Sequence, residues 1–150
     1  MSKGSGSGLN GVLNASKLNL EGGRGMTIVR EIYKCNLCGN VVEILKGGVP
    51  SLVCCDEEMK KVEAKTIDEG KEKHVPVIEE SENGVVIKVG AAEHPMEERH
   101  YIKFIEVLVG DMVLRKDLKP GMAPSAFFPI NRSAVTNVRE FCTVHDLWQA

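Results

Sequence analysis

Tyr33-Lys34-Cys35-Asn36-Leu37-Cys38-Gly39-Asn40, answered after fifteen further residues by Cys54-Cys55, decides how the front of this chain folds. Two cysteines separated by two residues form a knuckle that can wrap one cation. A hairpin turning at Gly47-Gly48 would return the second pair to it. Four thiolates brought together this way make a tetrahedral cage that suits zinc or iron. Zinc ribbons ordinarily use a two-residue gap in both pairs. Adjacent Cys54 and Cys55 lack that symmetry and should distort the tetrahedron. A module of roughly 35 residues buries little apolar surface, so the metal is expected to stabilise it directly.

The remaining soft ligands lie downstream. The chain has five Cys and four His, and an odd cysteine count excludes a complete disulfide framework. Thiolates kept reduced for metal imply a reducing compartment, with the cytoplasm as the default. Asn10, Asn14, Lys17 and Asn19 interrupt every stretch that could serve as the apolar part of a secretory signal. No apolar run approaches the ~18 residues needed to span a bilayer. A net charge of −2 and a pI near 6.1 give no global reason to expect nucleic acid or membrane as a partner.

Residues 1–25 open Ser2-Lys3-Gly4-Ser5-Gly6-Ser7-Gly8 and read as a flexible leader, with the composition of an appended extension ahead of Met26. From Thr27 onward the pattern is that of strands. Ile28, Ile32 and Tyr33 lead into the first Cys pair, and Val41, Val42, Ile44 and Leu45 follow it. Residues 56–73 are charged and read as a connecting segment. Gly84 opens a strand with Val85, Ile87 and Val89 on one face, and Tyr101 to Val109 is a longer strand. Pro120, Pro124 and Pro129 punctuate a loop-rich stretch before the last strands, between Val135 and Trp148. No segment has convincing helical amphipathicity. The expected fold is all-β, a small metal module followed by a sandwich.

His74, His94, His100, Cys142 and His145 form the second donor set. Structural zinc sites have four ligands, so four imidazoles and one thiolate point elsewhere. Five donors leave one octahedral position for a substrate. Cys142-Thr143-Val144-His145 puts a thiolate and an imidazole on one short turn, and His94 and His100 bracket a loop entering the Tyr101 strand. Imidazole suits iron, copper, nickel or zinc, and a thiolate pushes electron density onto a redox metal. Taken singly, each of these His is an ordinary core or surface residue. The joint pattern favours ligation.

These residues give the chain a specific resemblance to the desulfoferrodoxins, the two-iron class of superoxide reductases, from about Met26 to Trp148. It is carried by Tyr33 to Asn40, Leu52-Val53-Cys54-Cys55, Glu72-Lys73-His74-Val75-Pro76 and Glu93-His94-Pro95-Met96. His100-Tyr101-Ile102, Cys142-Thr143-Val144-His145 and Trp148 complete it. The resemblance implies a desulforedoxin-like module at 26–62 with a first iron on Cys35, Cys38, Cys54 and Cys55. It implies an immunoglobulin-like β-sandwich at 63–150 holding a second, catalytic iron, with His74, His94, His100 and His145 equatorial and Cys142 axial. The implied activity is one-electron reduction of superoxide to hydrogen peroxide, a detoxification, with electrons from a small redox protein such as rubredoxin. Family members are commonly homodimers.

The resemblance also implies roles for two catalytic residues. Lys73 would attract the anion and help deliver a proton, and Glu72 would close the sixth iron position after turnover. By composition alone both read as solvated charges in the connector, Lys73 among Lys60, Lys61, Lys65 and Lys71. Met96, Tyr101 and Trp148 read as packing around the site. Asp56 stands where the family usually has Gly, and Thr143 and Asp146 where it usually has Asn and Gly. The latter two bear on hydrogen bonding at the Cys142 sulfur. Two rival functions are a non-enzymatic electron carrier and a zinc-stabilised binding module.

Overall fold

The computed structural model describes residues 25–48, 51–69 and 73–150. The expected leader, apart from Gly25, and Glu72 lie outside the described residues. The chain divides into two compact units between Lys60 and Lys61. Regular structure among the described residues is all strand, apart from a 3-10 turn at Arg132–Ala134.

In the first unit, β1 (Ile32–Lys34) pairs antiparallel with β2 (Val41–Glu43), setting Tyr33 opposite Val42. The loop between them is the Cys35–Cys38 knuckle. A two-residue turn at Cys55-Asp56 folds β4 (Glu57–Glu58) back on β3 (Val53–Cys54). β5 (Lys60–Val62), which runs across the boundary at Lys60/Lys61, extends the first pair in the order β2-β1-β5. The connector expected over 56–73 therefore contains two short strands. Their charged side chains face solvent, as edge strands allow, so no apolar alternation marks them. Only Ile32, Cys35 and Ile44 are buried among this unit's described residues. So small a core leaves a cross-linking cation much to contribute.

The second unit is a sandwich. One sheet has the order β10-β7-β6, from β6 (Pro76–Ser81), β7 (Gly84–Val89) and β10 (Ser125–Phe128). The other is β12-β11-β8-β9, from β8 (Ile102–Val109), β9 (Met112–Asp117), β11 (Asn137–Cys142) and β12 (Asp146–Gln149). Val85, Ile87 and Val89 face inward and are buried, as their alternation predicts. They share one apolar core with Ile102, Ile105, Val107 and Val138. A register shift at Phe141/Cys142 lets Ile102 and Ile105, three residues apart on one strand, both face that core. The stretch read as loop-rich holds β10, and β9 precedes it. Arg115, Lys116 and Asp117 are exposed on β9, which obscured its period. On the opposite face of the four-stranded sheet, Glu106 is fully buried and accepts hydrogen bonds from Arg139 Nε at 3.0 Å and Arg115 Nε at 2.8 Å. Such a paired charge is tolerated inside a protein where a lone one is not.

Candidate metal centres

The knuckle of the first centre is tied by Cys35 N–H donating to Asn40 O at 2.9 Å and Gly39 N–H donating to Cys35 O at 3.0 Å. The Sγ atoms of Cys35, Cys38, Cys54 and Cys55 lie within 4.8 Å of one another. Cys38 to Cys54 is 3.5 Å and Cys54 to Cys55 is 4.0 Å. A tetrahedral cation with ~2.3 Å bonds needs sulfurs about 3.8 Å apart, so the set fits one. Adjacent cysteines manage this because Cys55 and Asp56 both adopt left-handed backbone, φ 53° and 59°. Asp tolerates that region better than most residues, so the turn survives without Gly at position 56.

Cys35 ionises more readily than an ordinary thiol. The Cys38 N–H brings it down to about 7, against an opposing effect of burial, and the Leu37 N–H adds to the lowering. Thiol hydrogen bonds, that with Cys38 foremost, push Cys55 up to about 12, and Cys54 is raised in the same way. Four sulfurs this close ionise together only around a cation.

In the second centre the donor atoms of His74, His94, His100, Cys142 and His145 also converge within 4.8 Å. The rings form a closed cycle of edge-to-face neighbours. His74 adjoins His94 and His145, with centroids at 4.9 and 4.6 Å, and His100 adjoins the same two at 4.7 and 5.0 Å. Cys142 Sγ is 3.4 Å from His94 Nε2 and 3.6 Å from His145 Nδ1. Those two rings are not neighbours in the cycle, so a sulfur close to both lies off its plane.

The set suits a metal on three further grounds. His74 Nε2 and His145 Nδ1 are 3.0 Å apart, about the spacing of adjacent ligands on a cation with ~2.1 Å bonds. His100 Nε2 is buried with no hydrogen-bond partner among the described residues. His94 is held neutral, its pKa pushed down to about 4 by burial while Nδ1 donates to Pro95 O at 2.6 Å, which leaves the Nε2 lone pair free. Burial pushes the Cys142 thiol up, against the N–H groups of Val144 and His145, which hydrogen bond to the sulfur. Burial also holds Glu140 well above the usual carboxylate range.

Packing fixes these ligands from outside. Trp148 stacks on His74 with centroids 4.5 Å apart and an interplanar angle of 14°, and its Nε1–H donates to His145 O at 3.2 Å. Lys65 Nζ donates to the same carbonyl at 2.8 Å and lies over the Trp148 ring. Thr143 Oγ1 accepts from Tyr101 N–H at 3.1 Å. Asp68 Oδ2 accepts from His74 Nδ1–H at 2.9 Å. Burial opposes ionisation of Asp68, but the hydrogen bonds from His74 and Lys73 outweigh it and hold its pKa below the usual value. Sequence reading missed Lys65 and Asp68, whose only signal was membership of a charged run.

Lys73 is exposed and lines a cleft of about 450 Å³ with Glu93, His94, Pro95, Met96, Gly121 and Met122. Its backbone approaches Gly90 so closely that a Cβ there would lie 2.5 Å from Lys73 Cα. Gly90, at φ 78°, was also missed, since sequence does not reveal close approach.

The described fold and donor sets agree with comparison to known proteins. The desulfoferrodoxin family matches residues 66–150, and the desulfoferrodoxin N-terminal domain matches residues 27–62. A desulfoferrodoxin homolog from Methanothermobacter thermautotrophicus is 50% identical over 123 residues, covering 82% of this chain and 99% of that protein. A desulfoferrodoxin from Desulfarculus baarsii is 51% identical over 120 residues, covering 80% and 94%. Among solved structures, the superoxide reductase from Treponema pallidum superposes with a TM-score of 0.62 at 26% identity, covering 80% of this chain and 95% of that one. The four-Cys and four-His-one-Cys sets are the two iron sites such proteins carry. Matched in both segments, and 50–51% identical to relatives over 80–82% of its length, the chain belongs to the desulfoferrodoxin family.

Proposed function

We propose that the protein is a superoxide reductase, which converts superoxide, one electron and two protons into hydrogen peroxide at the second centre. The observation that carries this reading is the convergence of four imidazoles and one thiolate beside a cleft lined by His94 and Lys73. Iron held by His74, His94, His100, His145 and Cys142 supplies a one-electron couple. Cys142 raises the electron density available there, and the Val144 and His145 N–H groups moderate it. Each ring would bind through a nitrogen lone pair, and Trp148 and Tyr101, which leads into β8, hold two of the rings and the Cys142 turn in place.

Lys73 draws the anion toward the cleft by local charge, since the chain's net charge of −2 would repel it. It also passes a proton through water to the reduced oxygen. Glu72, its neighbour in sequence, would offer a carboxylate to the iron after turnover, a role implied by family resemblance. Residues 26–62 act as a separate desulforedoxin-like iron module, and residues 63–150 as the reductase. The reading carries with it a small rubredoxin-like electron donor, a homodimer and a cytoplasmic setting, all implied by family resemblance or by the need for reduced thiolates.

The test is product stoichiometry. The reduced, iron-loaded chain should yield one peroxide for each superoxide consumed and no dioxygen. Dioxygen at half the superoxide would make it a dismutase. No reaction, with no azide binding to the reduced second site, would leave an electron carrier.

A further inference from the structure

We propose that Asp68 is a positioning residue of the second centre, turning the His74 ring so that Nε2 faces the metal and coupling that ring to the backbone of Lys73. One carboxylate oxygen, Oδ2, accepts three N–H groups: Lys73 N at 2.7 Å, His74 N at 2.8 Å and His74 Nδ1 at 2.9 Å. A clasp that merely closed the loop would need only the two backbone donors. The third bond reaches the ring, and an ionised carboxylate can only accept, so Nδ1 must carry the proton. The lone pair then sits on Nε2, which is 3.0 Å from His145 Nδ1. Two imidazole lone pairs at that distance repel unless a cation or a proton lies between them. The tautomer set by Asp68 is therefore the one that a metal requires.

The surroundings favour this role. The side chains of Asp68 and His74 are only 10% and 6% exposed, so water screens the pair weakly. Trp148 covers one flat face of the ring, leaving rotation in its own plane to be fixed by the carboxylate. His94 is oriented by a neutral carbonyl, Pro95 O, whereas His74 meets an anion. His74 is thus made the stronger donor of the two, which favours the oxidised metal. The same oxygen also holds Lys73, so ligand and steering residue move together.

The inference rests on the second centre being a metal site. Its test uses the full chain loaded with iron, as Asp68→Asn and Asp68→Ala. Readouts are chelator competition for each metal, the midpoint potential of the second site, and the visible spectrum, with the first site as internal reference. Asp68→Ala should weaken the second site about 10–100-fold and leave the first unchanged, the usual loss for an outer-shell partner. Asp68→Asn keeps an acceptor but no charge, so it should retain more affinity than Ala. In both variants the second potential should rise. Parent affinity and parent potential in either variant would overturn the proposal, and Asn serves alone if Ala fails to fold. Equal weakening of both sites, or weakening without a shift in potential, would also overturn it by reducing Asp68 to a structural clasp. These quantities are read without superoxide. A chain that holds iron but leaves superoxide untouched would refute the reductase reading and leave this test intact.

Discussion

Gly90→Ala should damage the second centre although Gly90 is not a ligand. A Cβ built there lies 2.5 Å from Lys73 Cα and carbonyl carbon and 2.6 Å from its oxygen, where ordinary contact begins near 3.4 Å. Relief needs a shift of roughly 0.9 Å, comparable to the overpacking that costs about 1–3 kcal/mol in cores. The left-handed backbone at φ 78° adds about 1–2 kcal/mol for a residue with a Cβ. The expected loss of stability is therefore about 2–5 kcal/mol. The Lys73 peptide cannot yield freely, because Lys73 N and His74 N are both bound to Asp68. Part of the shift must reach His74, and a misplacement near 1 Å can cost about 100-fold in rate. Denaturant unfolding, the spectrum of the second site and superoxide pulse radiolysis would measure each consequence. Gly110→Ala is the control. Gly110 has φ 60° with nothing within 4 Å of its Cβ position, so only the conformational cost of about 1–2 kcal/mol should appear. The reasoning fails if Gly90→Ala costs no more than Gly110→Ala and leaves spectrum and rate unchanged.

Lys73→Ala should slow the encounter with superoxide by roughly tenfold at low ionic strength, and less as the Debye length falls toward ~10 Å near 0.1 M salt. Lys73→Arg should keep most of the rate, and equal rates for all three side chains would return Lys73 to the solvated connector. Replacing Cys54 and Cys55 with Ser should remove one iron and some stability yet leave the superoxide rate within a few-fold; collapse of that rate in a folded variant would show that the first centre takes part in the reaction. The metal-free chain should lose stability in acid through His94, whose pKa is about 4 when folded against an unfolded value near 6.5. Between those values the unfolded state binds the extra proton, so stability is unpenalised above pH 6.5 and falls by up to about 3 kcal/mol on reaching pH 4. Denaturant titration across that range giving no slope, or the opposite slope, would contradict the buried neutral ring.

All nine donors were legible because Cys and His are scarce and their spacing is chemical, whereas the groups that hold them were not. A carboxylate in a charged run reads the same whether it is solvated or, like Asp68, bonded to three N–H groups. β7 was legible because Val85, Ile87 and Val89 alternate into the core, and β9 was not because Arg115, Lys116 and Asp117 interrupt its apolar period. The departures around His145 show why the ligand set still holds. Asp146 takes the left-handed conformation, φ 64°, a backbone region that Gly fills most readily. Asp reaches that region at modest cost, so β12 still starts directly after His145. Thr143 pairs its N–H with Tyr101 O at 3.0 Å and its hydroxyl with Tyr101 N–H, anchoring the turn to the Tyr101 strand. The backbone N–H groups of Val144 and His145 hydrogen bond to the Cys142 sulfur. Backbone donors do not depend on which side chains flank them, provided the turn keeps its shape. Thr143 and Asp146 therefore leave the sulfur's backbone hydrogen bonds in place, and Asp146 acts on it by charge instead, its carboxylate, like that of Glu140, opposing ionisation of the thiol.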